Sequence, residues 1–427
     1  MPTPPKFTNR RTQIAGIPVA ELARQFGTPC YLYDAAKIRE RMADLSIFEV
    51  VRYAQKACSN IEILKLIRSC GAVIDAVSGM EILRAVEAGY PVRPENPEDP
   101  DPIVYTADIF DAFALDLIAG DYPVHVNCGS LDMIWQLGER APGREITLRI
   151  NPGFGHGHSQ KTNTGGEGSK HGIWHEDLTR AIELASHFDL RVTGLHTHIG
   201  SGTDTEHLAM VVEAMDRLAL AAGSRILTIS GGGGLPVPYR PGEGYVDLAE
   251  YHRLWREKID TLALIARHPI RLEIEPGRYP VAESGFLLAE IRAVKKQGGR
   301  LFYLIDAGFN NLVRPAMYGS YHPISVVRAD GSAIPDDTPE AEVTLGGPLC
   351  ESGDIFTQAE GGYVESRRLP EASVGDYLVL EVAGAYGATM ASNYNSRPLA
   401  PEILLENGQP RIIRRRQTFD QLMENER

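Results

Sequence analysis

Two apolar rhythms alternate along most of the chain. Short runs rich in β-branched residues read as strands, and stretches with an apolar residue every three or four positions read as helices. Residues 48–56 form the first strand of the series. Asn60 then caps a helix carrying Ile61, Leu64 and Ile67, with Gly71 just past its end. The next strand covers 72–77 and the next helix 81–88, closed by Gly89. Strand 103–106 leads to helix 109–118, and strand 124–127 to a helix capped by Ser130. Strand 146–151 passes through a long loop to helix 177–187, and strand 192–198 is followed by helix 205–221. Strand 226–230 runs through a glycine-rich turn to helix 247–267, and strand 271–275 comes last. Alternating strands and helices imply a parallel sheet. Eight such units over roughly 240 residues have the size of a (β/α)8 barrel. An open doubly wound sheet is the alternative, but no G-x-G-x-x-G follows the first strand.

After about residue 277 long helices give way to hairpin patterns: 287–294 with 301–306, 342–345, 377–382, and 403–413 turned by Asn407-Gly408. Near the N-terminus a short helix over 19–25 and a strand over 29–33 precede the series, and that strand can join the second domain. The expected architecture is α/β plus β. A (β/α)8 TIM barrel covers 34–280. A mostly β domain, barrel- or sandwich-like, covers 281–427 and is completed by the segment 1–33. Residues 153–170, rich in Gly, Ser, Thr and Asn, read as a mobile loop over the barrel mouth.

Composition narrows the field. The 427 residues exceed one ordinary core, which agrees with two domains. A net charge of -13 argues against nucleic acid or an anionic membrane as partner. The cysteines, Cys30, Cys58, Cys70, Cys128 and Cys350, are odd in number and include no C-x-x-C pair, so neither a disulfide framework nor a zinc site is suggested. The first ten residues lack the apolar core of a signal peptide. No run approaches the ~18 apolar residues of a membrane span. A cytoplasmic protein with reduced thiols is expected.

Barrel enzymes place their chemistry at the C-terminal ends of the strands. There stand Lys56, Asp75, Arg149, His196, His198, the glycines 231–234 and Glu275. Alone, Lys56 is a strand-end lysine pointing to water. In this company it reads as a desolvated amine able to form a Schiff base. Glycines after the seventh strand let backbone N–H groups approach a phosphate. A carboxylate at Glu275 can keep a pyridine nitrogen protonated and so strengthen an electron sink. His196 and His198 share one strand face. H-x-H also ligates metals in hydrolases, but no second histidine cluster appears, and that reading leaves the lysine and glycines unexplained. A histidine ring can instead lie flat against a pyridine ring. Together these residues describe a pyridoxal 5′-phosphate site without a metal.

The chain resembles the diaminopimelate decarboxylases, within the alanine-racemase-like, fold-type III group of pyridoxal-phosphate enzymes. The resemblance rests on Tyr53-Ala-Gln-Lys-Ala57, Val77-Ser-Gly79, His196-Thr-His-Ile-Gly-Ser201, Gly232-Gly-Gly234, Glu275-Pro-Gly-Arg278, Asp306-Ala-Gly-Phe-Asn310, Arg314-Pro-Ala-Met-Tyr-Gly319, Gly347-Pro-Leu-Cys-Glu-Ser-Gly-Asp354, Gly384-Ala-Tyr-Gly387 and Asn393-Tyr-Asn-Ser-Arg-Pro398. It runs over nearly the whole chain and includes the loop 155–163. It implies that Lys56 carries the cofactor, that His198 stacks on its ring, and that Ser201, Gly232, Gly233, Gly234, Glu275, Gly277 and Arg278 hold its phosphate and ring nitrogen. It implies that Arg278, Arg314 and Tyr318 bind the substrate's distal carboxylate, that Glu351 takes the distal ammonium, and that Tyr386 touches both cofactor and substrate. It further implies that Cys350 donates a proton from the partner subunit of a homodimer. The family's pattern departs at Cys58, Gly202 and Pro236, at the edges of the phosphate site.

The expected reaction is decarboxylation of meso-2,6-diaminopimelate to L-lysine. Arginine suits a carboxylate at the distal end, which ornithine and lysine lack. The alternatives are a decarboxylase of another basic amino acid (ornithine, arginine or a D-amino acid), an alanine-type racemase, and a non-catalytic pyridoxal-phosphate-binding protein. Glu275 counts against the racemase, and the large β domain against the last.

Overall fold

The structure is a computed structural model and describes residues 6–156, 163–201 and 204–427. Two compact units emerge. One contains Met42–Pro236 and Tyr245–Tyr279. The other contains the N-terminal segment through Arg41, Val237–Gly244 and Pro280–Arg427.

The first unit is a closed, parallel, eight-stranded TIM barrel. Its strands are Val50–Ala54, Val73–Ala76, Ile103–Ala107, His125–Cys128, Glu145–Asn151, Arg191–His196, Thr228–Ser230 and Arg271–Ile274. The last strand pairs with the first, which closes the ring. The expected first strand stops sooner than its apolar run suggests. Pairing ends at Ala54, and Gln55–Ala57 form a 3-10 turn. The helices begin where short polar residues can cap them. Asn60 accepts from the Glu62 amide, Ser78 from Glu81, Asp111 from Ala114, Ser130 from Met133, Asp204 from His207 and Asp247 from Glu250. Each cap contributes about 1 kcal/mol. Each also sets where the chain turns from strand end to helix, and so shapes the mouth of the barrel.

Buried and half-buried polar pairs stand among the barrel strands. Arg52 donates to both oxygens of Glu273 at 3.0 Å. Asn127 donates to Thr106 at 3.3 Å, and His125 pairs with Thr147 at 2.9 Å. This differs from the layers of branched aliphatic residues usual in such barrels.

The second unit is mostly β. Gly285–Gln297 is its long central strand, and a register shift between Ile291 and Ala293 divides it. The first half pairs antiparallel with Cys30–Asp34 and with Tyr377–Leu380. The second half forms the expected hairpin with Arg300–Ile305. Glu340–Gly346, which contains the 342–345 signal, runs parallel to Arg300–Ile305 on one edge and pairs antiparallel with the next strand, Arg367–Pro370, on the other. Glu402–Glu406 and Gln409–Arg414 form a hairpin turned at Asn407 and Gly408, both left-handed with φ of 52° and 72°. That geometry is what Asn-Gly tolerates. Cys30–Asp34 sits between Gly285–Gln297 and Glu402–Glu406, so the N-terminal strand is an interior strand of this sheet. The helix Val19–Phe26 buries Val19, Leu22 and Ala23 in a core with Leu32, Leu288, Val379 and Ile403.

Among the described residues no helix is long and apolar enough to cross a membrane. Residues 157–162 of the proposed mouth loop, and Gly202, lie outside the described residues. The described loop stem is tightly tied. Asn151 donates to the Gly166 carbonyl at 3.1 Å and accepts from the Gly166 amide at 2.9 Å.

Candidate active site

Lys56 sits on the turn Gln55–Ala57, directly after the first barrel strand. Both neighbours are buried, and Lys56 itself is exposed. The strand ends before the lysine, and the turn presents its side chain to the group of Asp75, Glu81 and His198, all three of which feel its charge. Its backbone is nonetheless fixed. Gln55 donates to the Glu81 carbonyl at 2.9 Å, and the Tyr53 hydroxyl donates to the Cys58 carbonyl at 3.1 Å. On the far side Gly277 comes so close that a Cβ there would lie 3.0 Å from the Ala54 carbonyl.

Two buried acids, Asp75 and Glu275, and the half-buried Glu81 stand near this turn, and their environments differ. Burial raises Asp75, and the nearby Glu275 charge adds to the rise. Burial lifts Glu81 to about 7, although its carboxylate accepts from the Val77 amide at 2.8 Å. Burial also works against ionised Glu275, but His196, Arg52 and Ser230 outweigh it and hold the carboxyl at about 2. Glu275 follows the eighth strand. One oxygen takes a hydrogen bond from His196 Nε2 at 2.7 Å, the other from the Ser230 hydroxyl at 2.9 Å. An ionised carboxylate only accepts, so His196 carries its proton on Nε2. A carboxylate offers about four acceptor positions, so Glu275 keeps capacity for another donor.

The glycine turn packs against the same group. A Cβ on Gly232 would lie 2.2 Å from the Thr197 carbonyl and 2.8 Å from His198 Cβ, and its φ is +65°. A Cβ on Gly233 would lie 2.5 Å from the Glu275 carbonyl and 3.7 Å from His198 Cε1. His198 lies beyond the sixth strand, half-buried, and its Nδ1 is buried without a partner among the described residues. Burial and the Lys56 charge push its pKa well below the ordinary histidine range, so the ring is neutral. A flat neutral ring, a glycine turn and an ionised carboxylate with spare acceptor capacity suit a phosphorylated pyridine. The residues present fit pyridoxal phosphate. Ser201 is half-buried, and Arg278 is buried at the start of the short helix Arg278–Val281.

The remaining predicted residues belong to the β unit. Arg314 begins the helix Arg314–Tyr318 and is buried. Its Nη1 donates to the Tyr239 hydroxyl at 3.2 Å and to His322 Nε2 at 3.0 Å. Tyr318, half-buried, ends that helix, with left-handed Gly319 as its cap. Cys350 and Glu351 are exposed on a turn organised by buried Asp354. Asp354 accepts the Phe309 and Leu349 amides at 2.7 and 2.8 Å. The Cys350 amide donates to Asn395 at 2.8 Å. Tyr386 adopts φ of 58°, an uncommon left-handed backbone for a bulky residue. Such strain clusters at functional sites.

Sequence reasoning placed His196 at the barrel mouth without its pairing to Glu275, and it missed Ser230, Tyr239 and His322. Ser230 and His196 set the charge of Glu275, and His322 and Tyr239 orient Arg314. Only the position of Ser230, two residues before Gly232, hinted at its part.

Residues 35–282 match the family described as pyridoxal-dependent decarboxylase, pyridoxal binding domain. That is the class the barrel and its glutamate–glycine mouth define. The chain is 53% identical to the diaminopimelate decarboxylase of Escherichia coli K12 over 96% of this chain and 97% of the relative. It is 52% identical to that of Streptomyces coelicolor, covering 95% and 90%. A crystal structure of diaminopimelate decarboxylase, 53% identical, superposes with a TM-score of 0.91 over 96% of each chain. The Helicobacter pylori enzyme complexed with L-lysine, 30% identical, gives 0.83 over 96% of this chain and 99% of the other. The chain belongs to the diaminopimelate decarboxylase family of the pyridoxal-dependent decarboxylases.

Proposed function

We propose that the protein removes CO2 from meso-2,6-diaminopimelate with pyridoxal 5′-phosphate and leaves L-lysine, the last step of lysine biosynthesis. The observation that carries the reading is the buried, ionised Glu275 beside the glycine turn, in a chain 53% identical to such enzymes over nearly its whole length. Bound pyridoxal phosphate supplies the electron sink for the bond that breaks. Lys56 holds the cofactor through its amine, and His198 lies against its ring. Ser201, Gly232, Gly233, Gly234, Gly277 and Arg278 bind its phosphate, and Tyr386 touches cofactor and substrate. Glu275 holds a proton at the ring nitrogen, with His196 and Ser230 keeping the carboxylate ionised.

Arg278, Arg314 and Tyr318 bind the distal carboxylate, and Glu351 binds the distal ammonium. The orientation of Arg314 by Tyr239 and His322 supports this, because a fixed guanidinium suits a carboxylate. Cys350 donates the proton that takes the place of the departing carboxylate. Its exposure suits a role toward a second copy of the chain, in a cytoplasmic homodimer with shared sites. The barrel, 34–280, serves the cofactor, and 281–427 with 1–33 serves the substrate.

The test is CO2 release from meso-diaminopimelate and from ornithine, with the visible spectrum recorded before and after borohydride. Release with lysine formation from the first substrate alone is expected. Lys56→Ala should lose the borohydride-sensitive absorbance. Release from ornithine only would overturn the substrate assignment. A wild-type spectrum that borohydride leaves unchanged would overturn the role of Lys56.

A further inference from the structure

Away from the Glu275 carboxylate, one cluster of side chains has the composition and spacing of a cation site. His156 lies on the loop that leaves the fifth barrel strand. Asp204 caps the helix Thr205–Ala222, and His207 stands in its first turn. His156 Nε2 is 3.3 Å from one Asp204 oxygen, and His207 Nδ1 is 2.8 Å from the other. The two imidazole rings stack with centroids 3.7 Å apart and planes 18° from parallel. One ligand atom from each residue lies within 4.8 Å of the other two.

We propose that His156, Asp204 and His207 bind a late first-row divalent cation, with zinc the simplest case. Zinc takes imidazole nitrogen and carboxylate oxygen at about 2.0–2.2 Å, which places tetrahedral neighbours roughly 3.3–3.6 Å apart. The His156–Asp204 separation of 3.3 Å has that length but runs to the other oxygen of the carboxylate, so binding one cation requires the two rings to turn out of their stack toward it. The His207–Asp204 contact of 2.8 Å is a hydrogen bond that opens by a few tenths of an ångström when a cation replaces the proton. Two imidazoles and one carboxylate select zinc, cobalt or nickel over magnesium and calcium, which prefer oxygen alone. Three protein ligands leave a fourth position for water.

Both arms of the site are fixed by backbone bonds. The His156 and Thr164 amides donate to the Ile199 carbonyl at 3.0 and 3.1 Å. Thr164 Oγ1 donates to the His198 carbonyl at 2.9 Å. The His207 amide donates to Asp204 at 2.9 Å. The helix N-terminus opposes a cation, with about half a positive charge. Asp204 and Glu206 offset it in the same turn. A bound cation ties the loop after the fifth strand to the helix after the sixth, beside the backbone of His198.

The test uses the full chain with its cofactor. Cobalt is titrated while its ligand-field absorption is followed, and zinc is titrated by calorimetry. One cation per chain is expected. Loss of an outer-shell partner costs about 10–100-fold in metal affinity, so loss of a direct ligand should cost at least as much. His156→Ala, His207→Ala and Asp204→Asn should each show that loss. Asn at 204 keeps the helix cap while removing the charge. His187→Ala, on an exposed helix end, should bind as wild type does. Should Asp204→Asn fail to fold, the two histidine variants decide. Absence of binding by wild type, or affinity unchanged in the histidine variants, overturns the site.

Discussion

Arg52→Met should destabilise the barrel by about 3–5 kcal/mol, the usual cost of stranding one partner of a buried ion pair. Arg52 is buried, and its Nε and Nη2 donate to both Glu273 oxygens at 3.0 Å. Its Nη1 donates to the Ile74 and Asp101 carbonyls at 3.2 and 2.8 Å. Methionine preserves much of the volume and removes every donor. Glu273 then stays buried as an uncompensated charge. In the double variant Arg52→Met/Glu273→Met that charge is gone, and mainly the two carbonyl bonds are lost, at about 1 kcal/mol each. A unit of this size shifts its midpoint by about 2–4 °C per kcal/mol. The single variant should therefore melt roughly 6–20 °C lower, and the double variant only about 4–8 °C lower. Thermal melts followed by far-UV circular dichroism, with both singles and the double, complete the cycle. A double variant as unstable as the sum of the two singles would refute the reasoning, because the pair would then not act as a unit.

Gly232→Ala should lose bound pyridoxal phosphate on dialysis, since its φ of +65° and a Cβ 2.2 Å from the Thr197 carbonyl force the turn to shift. Retention of the cofactor would show that the turn yields cheaply. Glu275 is depressed in the folded state, so its contribution to stability is present above its ordinary value of 4.5 and is lost as pH falls toward about 2. Glu275→Gln should flatten acid unfolding in that window. Glu81 has the opposite sign. Its raised value of about 7 contributes stability that is full below 4.5 and lost as pH rises through about 7. Stability of Glu81→Gln, measured by urea midpoint, should vary less between those limits. Cys350→Ala should slow turnover by about 10²–10⁴-fold, the usual worth of a positioned proton donor, with the visible absorbance unchanged.

Local information carried much of the architecture. The strand–helix alternation, the caps at Asn60 and Ser130 and the Asn407-Gly408 turn depend on residues close in sequence, so their chemistry is legible in a window of a few positions. The motif residues Lys56, His198, Gly232–Gly234 and Glu275 were legible as strand-end chemistry because a barrel brings all such ends to one mouth.

Tertiary structure decided what those residues are next to. Glu275 is ionised because His196, 79 residues earlier, and Ser230, 45 residues earlier, donate to it. Arg52 finds Glu273 across 221 residues because the eighth strand pairs with the first. Neither pairing has a periodic signature, since barrel closure and register, not spacing, create the contact. The same holds for exposure. The apolar run 48–56 reads as one strand, and only the turn at Gln55–Ala57 shows that the strand stops short and leaves the Lys56 side chain accessible. The sequence by itself determined which elements form and which residues stand at their ends. The closed barrel and the β sheet decided which of those residues are charged, paired or accessible, because burial and neighbours, not identity alone, set those properties.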